Sequence, residues 1–207
     1  MKRMPENMVE VAEAMIARGV DKADLDYALE LVMTSGPARD QGLQIPLIEC
    51  LLRAGATATA RGIDVTLAHR EIAPILALLQ AGHRMTAPIA AGLGRTDRLA
   101  GLLRAASADE IHSALGLAVI NGQIEAARLA LDAGADPNGF LPVHAHSVPL
   151  HQAAIDENLD LMELLVSRGA RTDIADTLWR ATPLGWAIHQ GKDRARAFLE
   201  QLTPEPG

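Results

Sequence analysis

Apolar pairs recur along the chain, each followed, four positions after its first member, by a glycine or a residue standing in its place. They are Met15-Ile16 before Gly19, Leu51-Leu52 before Gly55, Leu78-Leu79 before Gly82, Leu102-Leu103 before Ala106, Ala130-Leu131 before Gly134, Leu165-Val166 before Gly169 and Phe198-Leu199 before Leu202. Such a pair one turn ahead of a glycine predicts an amphipathic helix with a buried stripe. The glycine predicts its left-handed C-terminal stop, adopted without a Cβ clash. Recurrence at tens of residues predicts a stack of helix pairs, a solenoid whose product is a binding surface rather than a reaction.

The intervals between stops are 36, 27, 24, 28, 35 and 33 residues, and the unevenness carries information. The short interval from Gly82 to Ala106 leaves room for two brief helices and almost no connector. The last two intervals hold a surplus at 135–146 and 170–181, where Pro, Asn, Gly and Asp predict projecting β-turns or hairpins. In the first interval a helix through Leu25, Ala28, Leu29 and Val32 should end at Ser35-Gly36-Pro37. The next should begin near Ile45-Pro46, leaving a loop around 38–42. The expected fold is all-α, a helix-turn-helix solenoid of about six layers over residues 1–207 as one domain, with a frayed tail at 203–207.

Composition narrows this picture. Hydrophobic residues are 49% but aromatics only 2%, so the core must be Ala and Leu packed closely between helices. The net charge of −7 and pI near 5.5 provide no basic field for a phosphate backbone, and nucleic acid is not expected as a partner. Cys50, the single cysteine, lies beside Leu51-Leu52 and is expected to be a buried, inert thiol in a reducing compartment. Residues 1–15 contain no secretory apolar run, and no segment reaches the ~18 uninterrupted apolar residues of a membrane span. A cytoplasmic, monomeric protein without a membrane partner is expected.

In the C-terminal half the local motifs become specific. Gly134-Ala135-Asp136-Pro137-Asn138, Val148-Pro149-Leu150-His151-Gln152-Ala153-Ala154, Leu164-Leu165-Val166-Ser167-Arg168-Gly169-Ala170 and Thr182-Pro183-Leu184-Gly185-Trp186-Ala187 resemble ankyrin repeats. The resemblance is strong over 108–202, whereas 1–106 matches mainly in spacing, as degenerate short repeats. The stretches His144-Ala145-His146-Ser147 and Asp176-Thr177-Leu178-Trp179 are similar to a bacterial branch of the family that generally lacks an assigned activity. The resemblance implies the fold, an ankyrin-type solenoid with short β-turn projections mainly in the C-terminal repeats, and not the partner. Within the motif, Thr182 supplies an N-cap hydroxyl and Pro183 occupies the first helical position. Val148 lacks that hydroxyl, with Ser147 as an imperfect substitute, and Gly185 lacks the imidazole that His151 provides one repeat earlier. Thr86-Ala87-Pro88-Ile89 and Ser113-Ala114-Leu115-Gly116-Leu117-Ala118 are weaker echoes of the same helix start.

Catalytic and metal chemistry find little support. His144, His146 and His151 form an H-x-H…H group whose first two imidazoles could face one metal, but no cysteine or carboxylate pair completes the ligand set. A metal-binding or metal-sensing protein built on His144 and His146 is the alternative reading, and a homo-oligomeric scaffold a further one. Ser147 has no nucleophile-elbow context, Cys50 has no facing base, and Gly92-Leu93-Gly94-Arg95-Thr96-Asp97 lacks a phosphate cradle. No catalytic residue and no cofactor are expected.

The aromatics are more telling. Phe140, Trp179, Trp186 and Phe198 lie in the C-terminal third, leaving Tyr27 alone upstream. Phe198 holds an apolar-pair position and should be core. Trp186 aligns with Gln152 one repeat earlier and is expected to be at least partly exposed. Phe140 and Trp179 fall in the surplus turns, either as interface anchors or packed on each other. The expected activity is non-enzymatic binding of an unidentified protein or peptide by the concave face and C-terminal turns, through Phe140, His144, His146, Gln152, Trp179, Arg180, Trp186 and His189.

Overall fold

The computed structural model describes residues 3–202, so the expected frayed tail lies outside the described residues. Among the described residues the backbone forms fourteen α-helices and no strand. The helices group into two compact units, residues 1–85 and 86–207.

The first unit contains α1 (Met8–Ala17), α2 (Lys22–Met33), α3 (Gly36–Asp40), α4 (Gln44–Arg53), α5 (Ala60–Ala68) and α6 (Ile72–Gln80). Its core is the apolar stripe of α2 (Leu25, Leu29, Met33) packed with Leu47, Ile48 and Leu51 of α4, Ile63 and Leu67 of α5, and Ile75 and Leu78 of α6. Gln44, buried at the start of α4, donates its amide to the carbonyls of Val32 (3.2 Å) and Met33 (3.1 Å), satisfying the end of α2. The expected loop at 38–42 instead contains α3, because Ser35 caps it through the Ala38 N–H (3.3 Å) and Pro37 is tolerated in its first turn. The pair Met15-Ile16 is not core. No residue of α1 is buried, and α1 packs on α4 alone of the larger contacts. Cys50 is buried as expected, and burial pushes its thiol up from its usual range, assisted by the charge of Glu13.

The second unit contains α7 (Ala87–Gly92), α8 (Thr96–Leu103), α9 (Ala108–Ile120), α10 (Ile124–Asp132), α11 (Pro149–Ile155), α12 (Leu159–Ser167), α13 (Pro183–His189) and α14 (Asp193–Leu202). One row runs α7, α9, α11, α13 and a second α8, α10, α12, α14, with each helix packed on its partner and on its neighbours in the row. Small residues make the rows close: Ala114, Ala118, Ala126, Ala127, Ala130, Ala153, Ala154 and Ala187 are all buried. Leu141, from the loop before α11, seats on α9 where a Cβ on Gly116 would lie 3.1 Å from its Cδ2. Phe198 is half-buried rather than core, and Leu199 carries the buried position of that pair.

The stop signals hold wherever glycine is present. At Gly134 φ is +98°, and the N–H groups of Gly134 and Ala135 return to the carbonyls of Leu131 and Ala130, both at 3.0 Å. Ala106 does not imitate this. The helix before it ends at Leu103, and Ala106 has no positive φ, because its Cβ disfavours the left-handed form. The chain passes directly to Ser107, which caps α9 in a reciprocal capping box with Glu110. The Ser113 to Ala118 echo therefore lies inside α9 and starts no helix.

Candidate functional site

Two loops of the second unit, 133–148 and 168–182, are locked to the helices and to each other by polar contacts. The imidazole of His112 on α9 donates from Nε2 to the Phe140 carbonyl (2.8 Å). Asn138 binds the next loop from both ends of its amide: Nδ2 donates to the Gly169 carbonyl (2.9 Å), and Oδ1 accepts from the Arg171 N–H (2.8 Å). The Thr177 N–H donates to the His146 carbonyl (2.9 Å). His151 is fully buried. Its Nδ1 accepts from the Val148 N–H (3.4 Å) and its Nε2 donates to the Ala181 carbonyl (3.0 Å), which fixes the neutral tautomer. Burial holds its pKa below the usual imidazole range despite these bonds and the charge of Asp176. Ser147 is not the substitute cap of α11. Its hydroxyl donates to the His144 carbonyl and accepts from the Gln152 amide, and His151 takes over the Val148 N–H.

Asp176 organises the second loop. It is 1% exposed, and its two oxygens accept from the N–H groups of Leu178 (2.8 Å), Trp179 (2.6 Å) and Ala181 (2.9 Å) and from the indole of Trp186 (3.0 Å). Burial pushes its carboxyl up, but the Trp179 N–H, the Trp186 indole and the other two donors outweigh it and hold the pKa at about 2. The Asp176 N–H also closes the loop onto the Ala181 carbonyl (2.9 Å). Arg180 adopts φ +57° within this turn and His144 φ +62° in the first loop.

This scaffold presents a groove of about 590 Å³ between the two loops and the starts and ends of α11 and α13. Six of the eight residues expected at a binding surface line it: His144, His146, Gln152, Trp179, Trp186 and His189. Phe140 and Arg180 do not line it. Phe140 is 42% exposed above the His112 contact, and Arg180 is exposed on the turn between Trp179 and Ala181. Trp179 is 66% exposed and meets His146 edge-on (5.5 Å between ring centres) and Trp186 (5.6 Å), so its ring packs on these rather than on Phe140. Trp186 is 8% exposed, contrary to the exposure expected from its alignment with Gln152. Its indole N–H is committed to Asp176, and its ring is covered by His146, His151 and Trp179. Gly185, in the place of the family imidazole, forms groove wall without a side chain. Asp176 was missed from sequence. Its signature was the Asp followed by Leu, Trp and Ala two, three and five positions later, an Asx-type turn whose donors all return to one carboxylate.

His144 and His146 have ring centres 6.0 Å apart. Among the described residues no group of three His, Cys, Asp or Glu side chains gathers as a metal site, and both nitrogens of His151 are used structurally. No helix among the described residues is long and apolar enough to cross a membrane.

The family profile described as ankyrin repeat matches residues 147–177, the segment from Ser147 through α11 and α12 into the Asp176 turn. A putative ankyrin repeat protein, FPV240 of Fowlpox virus (strain NVSL), is 40% identical over 68 residues, 33% of this chain and 16% of that protein. Cyclin-dependent kinase inhibitor 2A of Monodelphis domestica is 31% identical over 118 residues, 55% of this chain and 68% of that protein. The chain belongs to the ankyrin-repeat family. Its ankyrin helix starts are built from Thr86, Val148 and Thr182, each followed within two residues by proline. Thr86 and Thr182 accept from the N–H three residues on, whereas at Val148 only the reciprocal bond is made, its N–H donating to His151 Nδ1.

Proposed function

We propose that the protein is a non-enzymatic interaction module that binds a protein or peptide in the groove between the loops before α11 and α13. The observation that carries this reading is convergence. Residues chosen from two separate loops and two helices form one cavity, and a large aromatic ring stands open at its edge. A tryptophan in that position is the usual anchor of an interface, worth about 2 kcal/mol or more once a partner desolvates it. His144, His146, Gln152 and His189 orient polar groups of the partner, with Phe140 and Arg180 at the margin. The ankyrin-repeat relatives support a protein as the ligand, and the Monodelphis domestica relative is by its name a cyclin-dependent kinase inhibitor.

The proposal extends to architecture: about six helix-pair layers, short β-turn projections in the C-terminal repeats, and residues 1–207 acting as one monomeric domain in the cytoplasm. Two separated thermal transitions would contradict the single domain, and light scattering at twice the chain mass would contradict the monomer. The test of binding is capture from a lysate of the source organism by wild-type protein and by Trp179→Ala. Trp179 is the correct target because its ring is open, whereas replacing Trp186 would also break the bond to Asp176. Loss of a specific partner in Trp179→Ala with unchanged helical circular dichroism is expected. Equal capture by the two proteins would remove the groove from the binding surface.

A further inference from the structure

We propose that the groove receives an acidic peptide segment, its Asp or Glu carboxylates seated against His146 and His189 and its apolar side chains against Trp179. This rests on the groove being the partner-binding surface and names the chemistry of what enters it. Charge complementarity at the scale of the cavity favours this occupant. The whole chain carries a net charge of −7, yet every ionisable side chain lining the groove is a histidine: His144, His146 and His189. The one carboxylate directly behind the lining, Asp176, is buried, and both its oxygens are occupied by four N–H donors. A ligand cation laid on Trp179 finds no open counter-charge. A ligand carboxylate finds imidazoles and the amides of Gln152 and Gln190, all able to donate.

The charges around the lining are mixed, and no carboxylate lines the groove. From the first loop His144 faces His146, and from α11 His151 stands behind, neutral and structural. The second loop contributes Arg180, exposed between the lining residues Trp179 and Ala181, and α13 leads through Gln190 to Lys192. Carboxylates on the adjoining segments lie outside the lining, with Asp193 in the first turn of α14 beside Lys192. Asp173 pairs with Arg171 (2.8 Å), Glu157 accepts from the Arg194 N–H (2.8 Å), and Asp156 also has a partner. The lining imidazoles and amides offer N–H donors to a carboxylate, and Arg180 and Lys192 add positive charge at the margin.

Both tryptophans of the chain lie in this groove, so intrinsic fluorescence reports occupancy without a label. Full-length protein is titrated with three end-blocked peptides in which Leu alternates with Glu, Gln or Lys. The expected result is saturable binding of the Glu peptide, at least about 5-fold tighter than that of the Gln peptide and tighter still than that of the Lys peptide. The margin of the Glu peptide over the Gln peptide should shrink in His189→Ala, whose side chain is exposed, and shrink further in His146→Ala/His189→Ala with unchanged helical circular dichroism. Tighter binding of the Lys peptide, equal binding of Glu and Gln peptides, an unchanged margin in the double variant, or no binding of the Glu peptide would each overturn the acidic-ligand proposal. None of these touches the groove reading, which fails only if partner capture is indifferent to Trp179→Ala.

Discussion

At the residue scale the candidate site depends on a side chain that does not line the groove. Asp176 converts a loop of exposed residues into a fixed wall by collecting three backbone N–H groups and one indole. Its folded pKa of about 2 lies below the ordinary 3.8, so between those values the unfolded chain binds a proton that the folded chain refuses. Its contribution is therefore complete above about pH 4 and is lost as pH falls toward 2. Thermal melts over that range should show stability declining with acid, and Asp176→Asn should flatten the decline. A wild-type profile no steeper than that of the variant would contradict the assignment. Asp176→Ala, which leaves four donors unpaired, should cost about 2–3 kcal/mol and red-shift Trp186 emission.

At the element scale the pattern of apolar pairs and glycines was readable because it reports local backbone requirements. A left-handed stop depends on one residue and its own helix, and Gly134 behaves as the spacing predicts. Gly134→Ala should cost about 1 kcal/mol or more, since φ +98° is strained for any Cβ-bearing residue. Ala106→Gly should yield no gain, because Ala106 does not occupy that conformation; equal and opposite effects at the two positions would restore their equivalence. What could not be read there was where α9 begins. The Ser113 echo imitates a repeat start, but the true one is Ser107 with Glu110, a capping box that the ankyrin-like motif concealed. Ser107→Ala should cost about 1 kcal/mol in a denaturant titration, and Ser113→Ala should not remove a helix cap.

At the scale of the whole molecule, the family and the all-helical architecture were legible in sequence, and so was the region where candidate contacts concentrate. Trp179, His146 and His189 could be nominated from position alone. What brings them together could not, because it depends on loop-to-loop bonds such as Thr177 to His146 and Asn138 to Gly169, which no periodicity records. Trp186 shows the limit of aligning repeats. The same repeat position holds a half-buried Gln152 and a buried Trp186, because only the second repeat has an Asp176 to receive its indole. Amide hydrogen exchange of the full chain, alone and saturated with its captured partner, tests the central claim most directly. The account predicts new protection in segments 141–147 and 177–190, around the groove. Protection confined to residues 1–85, or to the α10 and α12 row, with those segments unchanged, would contradict it.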